Sequence, residues 1–343
     1  MDFALWIEWV IKSVAMLLIL LTGFAYLTLM ERRVLGRIQS RIGPNRAGPK
    51  GILQPVADGI KLIFKEELIP AEADKFIFIL APVVTVIPAL IILAVVPFGG
   101  TVQVFGRQVA LGVSGNVNIG VLYITAVTSI AIYGIVLAGW SSNNKYALLG
   151  GIRSSAQMIS YELALGLAFV GPILMAGSMS LQEIIDTQAR VGWFAIYQPI
   201  GFLILLIATL AEVNRAPFDM PEAEQELTAG YHTEYSGMKF ALFFMAEYVK
   251  MIAVSAISAT LFLGGYLGPG VAQFPWLGPL YFFVKIVALL FVMIWVRATL
   301  PRFRYDRLMA FGWKILLPVA LGNVFLTAAL AEIIKIYIPG LGL

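Results

Sequence analysis

MDFALWIEWVIKSVAMLLIL, residues 1–20, admits two readings, and the choice between them decides the fold. A cleaved leader would leave a secreted domain behind it. A retained span would begin a membrane protein. Leaders are basic ahead of their apolar core and end at a small-residue cleavage site. Here Asp2 and Glu8 lie where that basic charge would be, and no such site follows the apolar run. The run over residues 8–30 has the roughly 20-residue length that crosses a bilayer as a helix. A retained first span is expected.

The character of that stretch extends through the chain. Of 343 residues, 60% are hydrophobic and 13% charged, with a mean hydropathy of +0.87. Soluble domains carry about 25% charged residues. Spans are expected at 8–30, 76–97, 117–140, 157–177, 194–212, 239–262, 276–297 and 313–336. Helices are the default, because lipid leaves free backbone groups unsatisfied. No repeat or low-complexity tract divides the chain, so residues 1–343 read as a single transmembrane domain.

Orientation follows from Lys and Arg, which concentrate on the cytoplasmic side. The loops 31–75, 141–156, 213–239 and 297–314 hold 18 of the 24 basic residues, whereas the opposite loops hold Arg107 and Arg190. The expected class is an all-α polytopic membrane protein with about eight transmembrane helices and both termini on the periplasmic side. Residues 52–66, ILQPVADGIKLIFKE, are too polar to span. Gln54, Asp58, Lys61 and Lys65 share one helical face, and apolar side chains cover most of the rest. An amphipathic helix lying in the interface is expected there.

Several function classes drop out. The pI near 9.2 reflects basic loops that orientation already requires, so no nucleic-acid partner is expected. The sequence has no cysteine, which excludes disulfides, cysteine-held Fe–S clusters and thiol catalysis on this chain. With one histidine, it has no bis-His haem or multi-His metal centre. No phosphate loop, nucleophile–base pair or dinucleotide fingerprint occurs.

Charge that topology does not require gathers in AEVNRAPFDMPEAEQELTAGYHTEYSG, residues 211–237, with Glu212, Asp219, Glu222, Glu224, Glu226 and Glu234 against one arginine, Arg215. Pro217 and Pro221 discourage a continuous helix there. A solvated acidic loop is the commoner meaning of such a run. Within or at the edge of spans lie Glu31, Glu162, Glu212, Glu247, Lys250 and Lys285. Charges in the bilayer are costly, about 2.5–3.5 kcal/mol each on insertion scales, and mark functional sites by default. The plainer alternative is a Glu247–Lys250 ion pair, with the edge residues reaching water. The ends of spans one, four, five and six are expected to converge into a buried acidic cluster. ERRVLGRIQSRIGPNRAGPKG (31–51) and RATLPRFRYDRLM (297–309) hold more arginine than orientation needs, which suggests a docking surface for a soluble partner.

Those two stretches, with AEVNRAPFDMPEAEQELTAGYHTEYSGMKFALFFMAEY (211–248) and SSNNKYALLGGIRSSAQMISYE (141–162), resemble the signature segments of one family. It is the quinone-site membrane subunit of respiratory complex I. The resemblance runs from the first span to the eighth. It implies a redox-inactive subunit of the bacterial inner membrane in a proton-pumping NADH-quinone oxidoreductase, with quinone as substrate and no bound cofactor or metal. Its implied partners are the Fe–S and quinone-site subunits of the peripheral arm and other membrane-arm subunits, including antiporter-like ones. By the same resemblance, Glu31, Glu162, Glu212 and Glu247 match a buried carboxylate path for protons. Asp219, Glu222, Glu224 and Glu226 belong to the acidic loop beside the quinone cavity. Arg32, Arg215 and Arg297 match basic residues near that cavity, and Asp58 and Lys61 the helix at its entrance. Arg33 stands where many members carry lysine, which keeps the charge. The corresponding component of a membrane-bound hydrogenase, without quinone, a lone proton or sodium transporter and a structural anchor are the competing readings.

Overall fold

The structure, a computed structural model, describes residues 3–104, 107–114, 116–220, 229–271 and 273–337. Glu222, Glu224 and Glu226 of the acidic loop lie outside the described residues. Helix α1 covers Phe3–Ile38, α2 Gln54–Ile63, α3 Lys75–Ile91, α4 Gly120–Ser141 and α5 Lys145–Ala176. Three shorter helices follow: α6 Leu181–Val191, α7 Phe194–Tyr197 and α8 Pro199–Glu212. Then come α9 Gly237–Phe262, α10 Leu277–Thr299, α11 Tyr305–Phe311 and α12 Leu317–Tyr337, the last two joined by a π-helical turn at Gly312–Leu316. Among the described residues, seven helices are long and apolar enough to cross a membrane. The protein is an all-α polytopic membrane protein, with one small hairpin of β1 (Thr101–Val104) and β2 (Arg107–Ala110) pairing Thr101 with Ala110.

Three elements depart from the expected spans. α5 begins at Lys145 rather than 157, because Asn144 caps it by accepting from the Tyr146 amide at 2.9 Å. The fifth expected span is broken. Pro199 has no N–H to continue from α7 and instead opens α8. At 14 residues, α8 is about 21 Å long, against the roughly 30 Å of a bilayer core. The last span begins earlier, at Tyr305, with the π turn inside it. α6 lay outside the expectation because 11 residues are too few to cross. Its Leu181, Ile184, Ile185 and Gln188 are buried at helical spacing, and Ser180 caps it.

α9 is the central helix. It packs against α1, α3, α6 and α10. Small residues let neighbours approach, as is common between helices in membranes. Its hydroxyls return to the backbone four residues earlier: Ser255 to Met251 O, Ser258 to Val254 O and Thr260 to Ala256 O, all at 2.7–2.8 Å. No buried hydroxyl among these three is left unpaired. Where α3 meets α4, Gly134 allows the contact. A Cβ there would lie 2.0 Å from Thr85 Oγ1. The expected amphipathic helix is present as α2, and Ile52, Leu53, Val56, Ile60, Ile63 and Phe64 on and beside it are exposed.

Candidate functional site

The site starts at the end of α8. Asn214 takes a left-handed conformation, φ 52°, which Asn tolerates better than most residues. The chain folds back so that the Arg215 amide donates to Leu210 O at 3.2 Å. Gln157, fully buried on α5, fixes this reversal by donating from Nε2 to Ala211 O at 2.8 Å and Phe218 O at 2.6 Å. Arg215 is thereby turned into the bundle and is 3% exposed.

There it meets two glutamates from different helices. Its guanidinium is 3.8 Å from Glu31 on α1 and 3.9 Å from Glu247 on α9. It also lies over the Tyr248 ring, 4.3 Å from the centroid, a cation–π contact strengthened by burial. Glu31 has two further partners: Tyr248 Oη donates to it at 2.6 Å, and Arg297 at the end of α10 forms a close hydrogen-bonded ion pair. Glu247 accepts from Tyr231 Oη at 3.2 Å, and His232 Nε2 is 3.7 Å from the same oxygen. Such buried charges persist because they are paired.

Glu212 and Glu162 stand apart from this pair of carboxylates. Lys250, one turn beyond Glu247, interacts electrostatically with Glu212, Glu247 and Glu162. Among the described residues the plain Glu247–Lys250 ion pair is absent at 4.0 Å; Glu247 pairs with Arg215 and His232 instead. Glu212 is 3% exposed, and its Oε2 has no hydrogen-bond partner. It borders a cavity of about 10 Å³ together with Thr128, Thr209 and Ser258, room for about one water-sized sphere. Glu162 is half-buried and accepts from Ser129 of α4 in a close hydrogen bond.

Other singled-out residues fall elsewhere. Asp58 on α2 pairs with Arg32 of α1 at 2.7 Å and accepts from Gln54 at 3.0 Å, so a residue assigned to the entrance and one assigned to the cavity meet. Lys61 is exposed. Asp219 is 8% exposed. Lys285 is not part of the cluster: its ammonium donates to the carbonyls of Leu263, Gly265 and Leu267 at 2.6–2.8 Å, closing the chain that follows α9. The arginine-rich 297–309 stretch packs on the start of the acidic loop. The Phe303 amide donates to Pro217 O at 3.2 Å, and Phe303 stacks on Phe218. Arg302, Arg304 and Arg307 of that stretch are exposed. Residue-type reasoning passed over Tyr231, His232, Tyr248 and Gln157. Tyr248 directly follows Glu247 and Gln157 lies five residues before Glu162, but no local signal ties Tyr231 and His232 to Glu247.

Long apolar helices around a paired arginine–glutamate interior define a polytopic membrane protein that keeps charge inside its bundle. Residues 11–328 match the family described as NADH dehydrogenase, and the chain belongs to that family. It is 50% identical over 338 residues to an NADH-quinone oxidoreductase H subunit, the one numbered 1, of Geobacter sulfurreducens, with 96% of each chain covered. Identity is 52% over 307 residues to the NADH-quinone oxidoreductase H subunit of Protochlamydia amoebophila, covering 90% of this chain and 92% of that one. It is 52% over 318 residues to the protein of the same name from Thermomicrobium roseum, again covering 90% and 92%.

Proposed function

We propose that this chain is the membrane subunit of a proton-translocating NADH-quinone oxidoreductase, lining the path of the quinone and linking its reduction to proton movement. The carrying observation is Arg215, buried between Glu31 and Glu247 at 3.8 and 3.9 Å. It sits where the span-end carboxylates meet the loop that leads into the acidic segment. Reducing a quinone to quinol takes up two protons, so the charge beside the headgroup changes with every turnover. Coupled carboxylates and arginines respond to such a change by shifting protonation or partners. Glu31 and Glu247 take that role first, with Glu212 and Glu162 leading inward past Lys250. The acidic loop from Asp219 through Glu222, Glu224 and Glu226 borders the quinone cavity, as do Arg32, Arg215 and Arg297.

The chain supplies position and charge, and electrons stay on partner subunits carrying Fe–S clusters, since no cysteine is present here. The exposed Arg302, Arg304 and Arg307 offer carboxylate-binding contacts to the peripheral arm. Asp58 and Lys61 on α2 stand at the quinone entrance, where the exposed apolar face of that helix meets lipid. Other membrane-arm subunits, antiporter-like ones among them, complete the assembly in a bacterial inner membrane. α7 and α8 together make the fifth of eight crossings of one transmembrane domain, which returns both termini to the periplasmic side.

The test uses inverted membrane vesicles from a strain lacking the gene. NADH-driven quinone reduction and acidification should be lost and should return when the gene is restored. Unchanged activity in the deletion strain would overturn the proposal. Acidification driven by hydrogen instead of NADH would favour the hydrogenase reading.

A further inference from the structure

His232 is the one histidine of the chain, and the function proposed above assigns it nothing. It lies in the 3₁₀ turn Gly230–His232 and is 7% exposed. The turn is held close to α5: a Cβ on Gly150 would stand 2.6 Å from Gly230 Cα. The imidazole packs among rings, 3.8 Å from Tyr231 and 5.6–5.7 Å from Phe240 and Phe243, centroid to centroid. A histidine buried for packing alone has its nitrogens satisfied. Here Nδ1 is buried with no hydrogen-bond partner. Nε2 is 3.7 Å from Glu247 Oε1, beyond a normal hydrogen bond by about 0.5–1 Å. The other oxygen of Glu247 faces Arg215.

We infer that His232 is the proton-exchange partner of Glu247, a positioning residue that sets the charge of that carboxylate and so the hold of Glu247 on Arg215. The inference rests on the reading of the cluster as a proton-handling site. In the step, the Nε2–H bond of an imidazolium breaks and an O–H bond forms on Glu247 Oε1. Neutral imidazole and a neutral carboxylic acid result, and no electron is transferred. Neutral Glu247 no longer attracts Arg215, which keeps Glu31 across the cluster at 3.8 Å. The reverse transfer restores the first arrangement. Among the described residues, the groups facing the imidazole come from several elements. Its own turn brings the Tyr231 phenol, and α9 brings Glu247, with Lys250 one turn beyond. The loop after α8 brings Arg215, backed by Glu31 of α1. α5 is close to the turn at Gly150, and α4 carries no acidic or basic residue.

The assembled complex in proteoliposomes, with wild-type chain, H232Q, E247Q or both substitutions, tests this by quinone reduction and proton uptake between about pH 6 and 9. H232Q keeps a polar side chain but takes up no proton. It should slow turnover roughly tenfold or more and flatten the pH profile. In the E247Q background it should cost nothing further. Wild-type rates and pH profile with H232Q would overturn the inference, as would losses that multiply in the double variant. If H232Q does not assemble, H232N takes its place, and failure of both to assemble assigns the ring to packing and also overturns it. A wild-type complex that neither reduces quinone nor moves protons would instead overturn the function on which the inference rests.

Discussion

Arg215 joins the two buried glutamates of the cluster. Glu31, Glu247 and the Tyr248 ring all face it. Arg215→Ala should therefore destabilise the detergent-solubilised protein by about 3–5 kcal/mol, the range for stripping a partner from buried charges. Unfolding midpoints of the two proteins check this, and an unchanged midpoint would mean that the two glutamates find other compensation. Glu212 poses the opposite test. Its Oε2 is buried without a hydrogen-bond partner, so Glu212→Gln should be harmless or slightly stabilising to the fold. If the carboxylate carries protons, quinone reduction and proton pumping should both fall in complexes assembled to equal amounts. Glu212→Asp, which stays ionisable, should be milder. Wild-type proton yield with Glu212→Gln would remove Glu212 from the path.

At the scale of elements, close helix approach is set by single glycines. Gly134→Ala would place a Cβ 2.0 Å from Thr85 Oγ1 and 2.9 Å from Ala81 O. Overpacking of this kind costs about 1–3 kcal/mol. Gly166 of α5 has open space where a Cβ would stand, so Gly166→Ala should leave stability unchanged or raise it by about 0.5–1 kcal/mol through lower chain entropy. Thermal unfolding of both variants separates the cases; no loss with Gly134→Ala would mean that the α3–α4 contact yields easily. The same elements mark where a sequence is legible. Long apolar runs gave α1, α3, α4, α9 and α10, because a bilayer demands about 20 such residues wherever it is crossed. α6 was hidden, since 11 residues lack the length that betrays a span, whereas α8 fell inside the expected run 194–212 and only the break at Pro199 escaped a reading by run length. The early start of α5 rests on one cap, Asn144, which apolar run length does not register.

Taken as a whole, the chain should purify without a visible chromophore and should not oxidise NADH by itself. Its lack of cysteine and its single histidine motivate this. An absorption spectrum of the isolated chain and a direct NADH assay decide it, and stoichiometric haem, flavin or Fe–S absorbance would contradict it. Membrane residence and helical class were determined by the sequence alone, because hydropathy and run length are local properties that the solvent of the helix imposes. The family followed from long ordered motifs, which need no geometry to be read. The candidate carboxylates were also legible as residue types out of place in lipid. Only the tertiary structure decided their company. Glu31 and Glu247 share Arg215 because α1 and α9 pack together and the reversal after α8 turns the guanidinium inward. Lys285 is held away from the cluster by three backbone carbonyls, and His232 joins the cluster through a turn close to Gly150. Such pairings depend on which helix faces meet and where loops return, and these are set by side-chain packing across distant segments, which no local pattern in the chain records.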